Sequence, residues 1–222
     1  MPDIIIISDL IPDVPGSLET AWLLEHSRGF PGIHGKTERP VLSFLKERTM
    51  QWENLTSADF AKAVKETGVC VITFGVVEKH SEHLPLGTDF LNGQKLACLA
   101  AEIEPAVVFP PFYFGQIYEA KCFPGTIALK PTLLVEVITG VLDEIGRNGF
   151  KKIILVNAHG GNAHLLPFLA QASLYEQKPY TLYLYQGREE EEFAQQWQSI
   201  VETEVHGHAC ECETSVSLAN HA

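Results

Sequence analysis

Short apolar runs that alternate with amphipathic segments are the feature that most restricts what this chain can fold into. The strand-like apolar runs comprise residues 69–77, 106–109, 152–156 and 181–185. The helix-like segments comprise residues 57–67, 91–104, 131–147, 163–175 and 189–200. Strands that alternate with helices pair through right-handed crossovers, so the pattern predicts an α/β fold with a mostly parallel sheet.

The ends of two predicted helices carry specific signals. Pro131 suits the first turn of the helix over residues 131–147, and Gly149 follows its end. Thr56 is a suitable N-cap for the helix that ends near Gly68. Leu134, Ile138 and other apolar residues of the longer helix recur at helical spacing, which predicts one buried face.

Residues 1–49 differ from the rest of the chain because proline and glycine interrupt them repeatedly. We interpret them as an N-terminal extension with short helices near residues 18–26 and 41–48. Residues 50–222 are interpreted as the functional domain. The apolar run at residues 4–7 is much shorter than the roughly 20 residues that span a bilayer.

Composition restricts the partners and the compartment. The formal net charge of −12 disfavours nucleic acid and anionic membrane surfaces, and favours a small neutral or cationic substrate. Hydrophobic residues make up 45% of the chain, which is enough for a large core. The odd number of cysteines, five, is typical of reduced thiols in the cytoplasm.

Polar side chains follow two of the predicted strands directly. Glu78 and His80 come after the run at residues 69–77, and Asp89 follows a Leu-Pro-Leu-Gly turn. His159 comes after the run at residues 152–156 and precedes two glycines. Because functional sites of parallel sheets lie beyond the carboxyl ends of strands, we expect these four side chains to meet.

A third polar cluster near the end of the chain contains His208, Glu211 and Glu213. Cys210 and Cys212 lie in the same segment, and with His206 and His208 they are an alternative, structural zinc site. That signal is weak because the sequence has no second cysteine pair. A thiol hydrolase that uses either cysteine is a further alternative.

Mixed carboxylate and imidazole side chains predict a divalent metal site. Zn²⁺, Mn²⁺, Fe²⁺ and Co²⁺ accept such ligands. A bound ion lowers the pKa of water and polarises a carbonyl group, which are the two effects that hydrolysis of an amide requires. An isolated Glu-x-His pair is usually only a polar surface feature, so the hypothesis depends on the three clusters together.

The same clusters resemble the creatininase family of amidohydrolases. Residues 75–89 read GVVEKHSEHLPLGTD and are similar to the family pattern G-S-x-E-Q-H-G-P-H-L-P-L-x-T-D. Residues 123–127 read FPGTI, and residues 157–162 read NAHGGN where the family has N-G-H-G-G-N. Residues 208–215 read HACECETS and resemble H-A-G-E-x-E-T-S.

The resemblance implies a three-layer α/β/α fold, a homo-oligomer that is often a hexamer, and one or two ions of Zn, Mn or Fe. By the pattern of creatininase itself, Glu78 and His159 would hold one ion, His80 the other, and Asp89 would bridge them. The carboxylate that completes the second site in creatininase is replaced by Gly161. Glu213, or Glu211, is expected to replace it.

The predicted function is hydrolysis of a non-peptide C–N bond, in a cyclic amide or a formamide. Glu213 and His208 are expected to move the proton to the leaving nitrogen, and His83 is expected to orient a ligand. Lys79 and Cys210 replace the Gln and Gly of the family pattern. These departures support the alternative of a non-catalytic, metal-binding member of the same fold.

Overall fold

A parallel sheet forms the centre of the protein. The computed structural model describes residues 5–6, 50–187 and 191–221. All strand pairs are parallel, and the order is β1-β5-β4-β2-β3. The strands are β1 (Ile5–Ile6), β2 (Val69–Phe74), β3 (Val107–Val108), β4 (Lys152–Asn157) and β5 (Thr181–Tyr185). The predicted α/β fold with a parallel sheet is confirmed.

Helices cover both faces of this sheet. The α-helices are α1 (Ser57–Thr67), α2 (Thr88–Ile103), α3 (Pro131–Arg147), α4 (Leu165–Ala172), α5 (Glu191–Ile200) and α6 (Glu211–His221). Single 3₁₀ turns occur at Trp52–Asn54, Gly160–Ala163 and Ser173–Tyr175. The arrangement confirms the three-layer architecture.

The alternation of side chains along each strand divides the core into two layers. Ile72 of β2 belongs to a buried cluster with Ile138 of α3 and Leu166 of α4. Val71, the preceding residue, lies on the other face and packs with Ala97 of α2. Successive side chains of a strand point to opposite faces, so a run of apolar residues is what a strand covered on both sides requires.

The helix signals read from the sequence are confirmed where the structure describes them. The hydroxyl oxygen of Thr56 accepts a hydrogen bond from the backbone N–H of Asp59 at 3.2 Å, as an N-cap should. Gly68 ends α1 with a left-handed φ of 62°. Helix α3 has the predicted bounds, with Pro131 in its first turn.

Several predicted bounds were wrong by a few residues. Strand β2 ends at Phe74, which forms an isolated parallel bridge with Phe112 through a hydrogen bond from the N–H of Gly75 to the carbonyl of Phe112. Helix α2 begins at Thr88 rather than residue 91, which places Asp89 in its first turn. The helix predicted at residues 163–175 is α only over Leu165–Ala172, with a 3₁₀ turn before and after it.

The N-terminal predictions remain open. The helices expected near residues 18–26 and 41–48 lie outside the described residues, and the division of the chain at residue 50 stays a prediction. Ile5 and Ile6 pair with β5 at one edge of the sheet. Among the described residues, no helix combines the length and the apolar character needed to cross a bilayer.

Two glycines in helix interiors provide a matched test of this packing. A Cβ on Gly93 of α2 would lie 2.7 Å from the Cβ of Ala158, whereas a Cβ on Gly140 of α3 would meet nothing within 4 Å. We expect Gly93→Ala to lower the free energy of unfolding by about 1–3 kcal/mol through overpacking. Gly140→Ala should raise it by about 0.5–1 kcal/mol. Urea denaturation measures both, and equal effects would contradict the close packing of α2 on the sheet.

Candidate functional site

The polar clusters of the sequence converge at the carboxyl edge of the sheet. Strands β2 and β4 are neighbours in register, with Phe74 opposite Asn157, so the segments that follow them leave from the same edge. Glu78 and His80 follow β2, and His159 follows β4. Asp89 enters from the first turn of α2. Glu78, His80 and Asp89 are all buried.

A tight loop returns Asp89 to the end of β2. The N–H of Glu78 donates to the carbonyl of Leu86 at 3.0 Å, which closes the loop at its base. The hydroxyl of Thr88 donates to the carbonyl of Pro85 at 2.7 Å, where α2 begins. The Leu-Pro-Leu-Gly turn therefore brings a carboxylate back to within reach of the imidazole nine residues before it.

Asp89 lies between two imidazole rings. Its Oδ1 atom is 3.0 Å from Nε2 of His80, and its Oδ2 atom is 2.9 Å from Nδ1 of His159. The same Nδ1 atom is 3.0 Å from Oε1 of Glu78. The structure thus brings together the four residues that the sequence predicted would meet, with one carboxylate oxygen directed at each ring.

Both rings face oxygen atoms at both of their nitrogens. His80 Nδ1 is 3.2 Å from the carbonyl oxygen of Glu78, and its Nε2 faces Asp89. His159 Nε2 is 2.9 Å from the carbonyl oxygen of Gln116, and its Nδ1 faces two carboxylates. A neutral imidazole donates from only one nitrogen. Each ring must therefore carry a second proton or share that nitrogen with a cation.

The pKa values of the metal-free protein follow from this geometry. Burial lowers the pKa of His159, but the hydrogen bonds and charges of Asp89 and Glu78 outweigh it and raise the pKa to about 10. For His80 the penalty of burial is likewise outweighed by Asp89, so its pKa lies above the ordinary value. Burial raises the pKa of Asp89, but the two imidazoles outweigh it and hold that pKa below its usual range.

The third cluster closes over the first two. Glu213 is grouped with His80 and Asp89, with ligand atoms that all lie within 4.8 Å of one another. Its carboxylate accepts a hydrogen bond from the backbone N–H of Ala209, a residue with a left-handed φ of 54°. The ring of His208 lies 4.3 Å from the ring of His80, and its Nε2 is 3.7 Å from Oε2 of Glu78.

The structure separates the two candidate glutamates of α6. The carboxylate of Glu211 accepts hydrogen bonds from the backbone N–H groups of Glu202 and Thr203, at 3.0 and 2.8 Å, on the side of the preceding loop. Of these two glutamates, Glu213 is the one whose carboxylate lies at the imidazole–carboxylate cluster. The carboxylate of Glu211 is therefore engaged by backbone N–H groups of that loop.

Lys79 and His83 lie beside the cluster rather than in it. The ammonium group of Lys79 pairs with the carboxylate of Glu82 and lies 5.2 Å from the ring centre of Phe123, so it is directed away from the cluster. Nε2 of His83 is 2.9 Å from the hydroxyl oxygen of Thr214, the residue after Glu213. His83 therefore contacts the helix that carries Glu213.

Sequence reasoning missed Gln116 and the role of Asn162. The buried amide of Asn162 accepts from the N–H of Gln116 at 2.9 Å and donates to the carbonyl of Phe74 at 3.2 Å. This bridge fixes the Gln116 carbonyl against the ring of His159. Asn162 belongs to a visible motif, but Gln116 carries no sequence signal because its contribution is a backbone carbonyl.

Gly161 has no room for a side chain. A Cβ at this position would lie 2.5 Å from the Gln116 carbonyl oxygen and 2.5 Å from Nε2 of His159. The loop that contains Gln116 thus fills the space that a carboxylate at position 161 would need. Any additional carboxylate must come from another element.

The described residues fit a divalent metal. Two ligand sets share Asp89: Glu78, Asp89 and His159 form one, and His80, Asp89 and Glu213 form the other. Glu78 Oε1 and Asp89 Oδ2 are buried without a hydrogen-bond partner of suitable geometry, although both lie close to His159 Nδ1. Ligand atoms about 2.0–2.2 Å from one ion lie about 3.3–3.6 Å apart at tetrahedral angles and about 2.8–3.1 Å apart at right angles. The observed separations of 2.9 and 3.0 Å agree with right angles at the ion.

The family model and the curated relatives that this chain matches point to the same family. Residues 53–222 match the model of the creatininase family, described as creatinine amidohydrolase. The mycofactocin precursor peptide peptidase of Mycolicibacterium smegmatis is 34% identical over 115 residues, which cover 48% of this chain and 45% of the relative. The creatinine amidohydrolase of Pseudomonas putida is 28% identical over 103 residues, which cover 43% and 40%.

Solved creatininases share the fold. A mutant creatininase described as the Zn-Zn type superimposes with a TM-score of 0.65 at 20% identity, over 78% of this chain and 73% of that one. The chain spans about half the length, or less, of the curated relatives that it matches.

The raised pKa of His159 predicts how the metal-free protein responds to pH. The folded state binds this proton more tightly than the unfolded state, whose His has a pKa near 6.5. The resulting stabilisation is complete below pH 6.5 and is lost as the pH rises towards about 10. Urea unfolding of chelator-treated protein should therefore show that the difference in stability between wild type and His159→Gln shrinks over this range. A constant difference would contradict the imidazolium at His159.

Proposed function

Because the chain belongs to the creatininase family, we propose that it is a metal-dependent amidohydrolase that cleaves a non-peptide C–N bond. A cyclic amide or a formamide is the proposed substrate, and a water activated by a divalent metal is the proposed nucleophile. The activity, the substrate and the metal are proposals for this chain, since the matched segments cover only 45% and 40% of the curated relatives.

Two ligand sets around Asp89 are the observation that carries the proposal. Its two oxygens face the imidazoles of His80 and His159 separately, at 3.0 and 2.9 Å. A carboxylate can bridge two ions in this way, and paired ions are typically about 3.5–4 Å apart. Oε1 of Glu78 and Oδ2 of Asp89 are both buried and share one imidazole nitrogen, so two carboxylates depend on a single partner, which supports a cation here.

We propose that Glu78 and His159 hold one ion, that His80 and Glu213 hold the other, and that Asp89 bridges them. Zn, Mn or Fe suits these nitrogen and oxygen ligands. Such an ion lowers the pKa of a bound water from about 16 to about 7 and polarises a substrate carbonyl. The carbonyl oxygens of Glu78 and Gln116 would accept from the outer nitrogens of His80 and His159, which fixes both rings.

Proton transfer is assigned to the segment that closes the site. His208 is half exposed, with 47% of its side chain accessible, yet its ring centre lies 4.3 Å from that of His80, with the two rings tilted. Its position lets it reach both the buried cluster and a substrate from solvent. We propose that His208 and Glu213 pass the proton to the leaving nitrogen, the step that general acid–base catalysis accelerates by roughly 10²–10⁴-fold.

A peptide bond is the second candidate substrate. The relative with 34% identity is a peptide peptidase, and hydrolysis of peptides and of cyclic amides uses the same attack on a carbonyl carbon. The composition favours the small-molecule candidate because a net charge of −12 repels acidic peptides. Assembly into a homo-oligomer, such as a hexamer, stays a prediction.

Hydrolysis with and without chelator tests the function. Purified protein, with its Zn, Mn and Fe content measured by elemental analysis, should hydrolyse at least one of creatinine, hydantoins and N-formyl compounds. A chelator should abolish turnover, because the nucleophile depends on the ion, and added metal should restore it. Short peptides serve as the comparison class.

Each outcome separates two hypotheses. Turnover of peptides alone would replace the proposed substrate class. Bound metal without turnover across the whole panel would favour the non-catalytic, metal-binding alternative. Activity that resists chelators but is lost on alkylation would favour the thiol hydrolase.

Two glutamates of one helix provide a matched pair of variants. Glu213→Gln should lower kcat/KM by about 10²-fold or more and should reduce the bound metal, because it removes a ligand and a proton carrier. Glu211→Gln changes the charge equally, two residues away, but touches only the loop at Glu202 and Thr203. Steady-state kinetics and metal analysis of both variants test this assignment. Equal losses in the two would overturn it.

A further inference from the structure

We propose that His206, Cys210 and Cys212 form a second, sulfur-containing cation site that binds Zn²⁺. These three residues lie together between the end of α5 and the first turn of α6, outside the imidazole–carboxylate cluster. Their ligand atoms, one per residue, all lie within 4.8 Å of one another. Two thiolates and one imidazole are a ligand set that Zn²⁺ accepts, with a fourth position left for water or a further ligand.

The measured separation fits tetrahedral coordination. Sγ of Cys212 lies 3.6 Å from Nδ1 of His206. Zn–S and Zn–N bonds of about 2.3 and 2.05 Å at a tetrahedral angle place sulfur and nitrogen about 3.6 Å apart. The same distance also fits a thiol–imidazole hydrogen bond, so the ligand set of two sulfurs and one nitrogen, rather than this distance alone, carries the proposal.

The surroundings of the cysteines also favour a bound cation. Nε1–H of Trp197 in α5 donates to Sγ of Cys212 at 3.1 Å. Hydrogen bonds of this kind orient metal ligands, and a thiolate accepts them better than a thiol does. Both cysteines are reduced and partly accessible, and His206 is exposed, so an ion can enter.

The sulfur ligands distinguish this site from the cluster proposed above. The cluster around Asp89 offers only nitrogen and oxygen ligands, whereas this site offers two sulfurs, which select softer ions. Cys70 and Cys98 are buried in the core. Cys122 is exposed in a different segment and is therefore a suitable control.

Both sites lie on one segment of chain. His206, Cys210 and Cys212 alternate with His208 and Glu213, which face the cluster around Asp89. An ion at the sulfur site would tie this segment to Trp197 of α5 and so hold His208 and Glu213 in place. This structural role depends on the proposed function, but the binding of the ion does not.

Cobalt substitution tests the site in the full-length, reduced protein. Co²⁺ bound by thiolates gives intense sulfur-to-metal charge-transfer absorption in the near ultraviolet, whereas Co²⁺ bound by nitrogen and oxygen ligands does not. Titration with Co²⁺ should produce this absorption until the sulfur site is filled, at one equivalent in an Asp89→Asn variant that has lost the other site, and Zn²⁺ should displace it. Cys212→Ser and Cys210→Ser should each remove or strongly reduce it, and Cys122→Ser should leave it unchanged.

A variant of the other site separates the two proposals. Asp89→Asn should retain the sulfur absorption while it loses metal from the cluster, and Cys212→Ser should show the reverse, with circular dichroism used to establish that both are folded. Absence of the absorption in reduced wild-type protein would overturn the sulfur site and leave the proposed function intact. Persistence of the absorption in both single cysteine variants would overturn it equally.

Discussion

The buried carboxylate of Asp89, placed between two imidazoles, is the interaction on which the rest of the site depends. Its oxygens lie 3.0 and 2.9 Å from the rings of His80 and His159, which come from segments after two different strands. That contact requires β2 and β4 to be neighbours and α2 to pack closely on the sheet. The absence of a side chain at Gly93 is what permits this packing next to Ala158.

Charge balance explains why so many ionisable groups can be buried together. Each ring faces oxygen at both nitrogens, so without a metal it must hold an extra proton. Burial opposes that proton at His159, but the carboxylates of Asp89 and Glu78 outweigh burial and raise the pKa to about 10. An ion at the same position would replace that proton and pair with the carboxylates. These charged groups can therefore be buried together only when the rings and the carboxylates share a cation, either a proton or a metal ion.

The segment that contains Glu213 brings a carboxylate to the cluster from a different element. The loop at Gln116 fills the space beside Gly161, so that position cannot carry a carboxylate. Glu213 approaches from the first turn of α6 instead. Ala209, whose backbone is left-handed, lies just before that helix, and its N–H donates to the carboxylate of Glu213.

The sequence by itself determined the fold class and the convergence of Glu78, His80, Asp89 and His159, because apolar periodicity and the residues after a strand are local signals. Helix α3 was predicted to the residue, while the ends of β2 and α2 were not, since hydrogen bonds to distant residues such as Phe112 set them. Only the tertiary structure shows that Glu213 rather than Glu211 lies at the cluster, and that the carbonyl of Gln116 contacts His159. Those outcomes depend on which backbone groups need hydrogen-bond partners once distant segments meet, and the spacing of residues along the chain does not predict those partners.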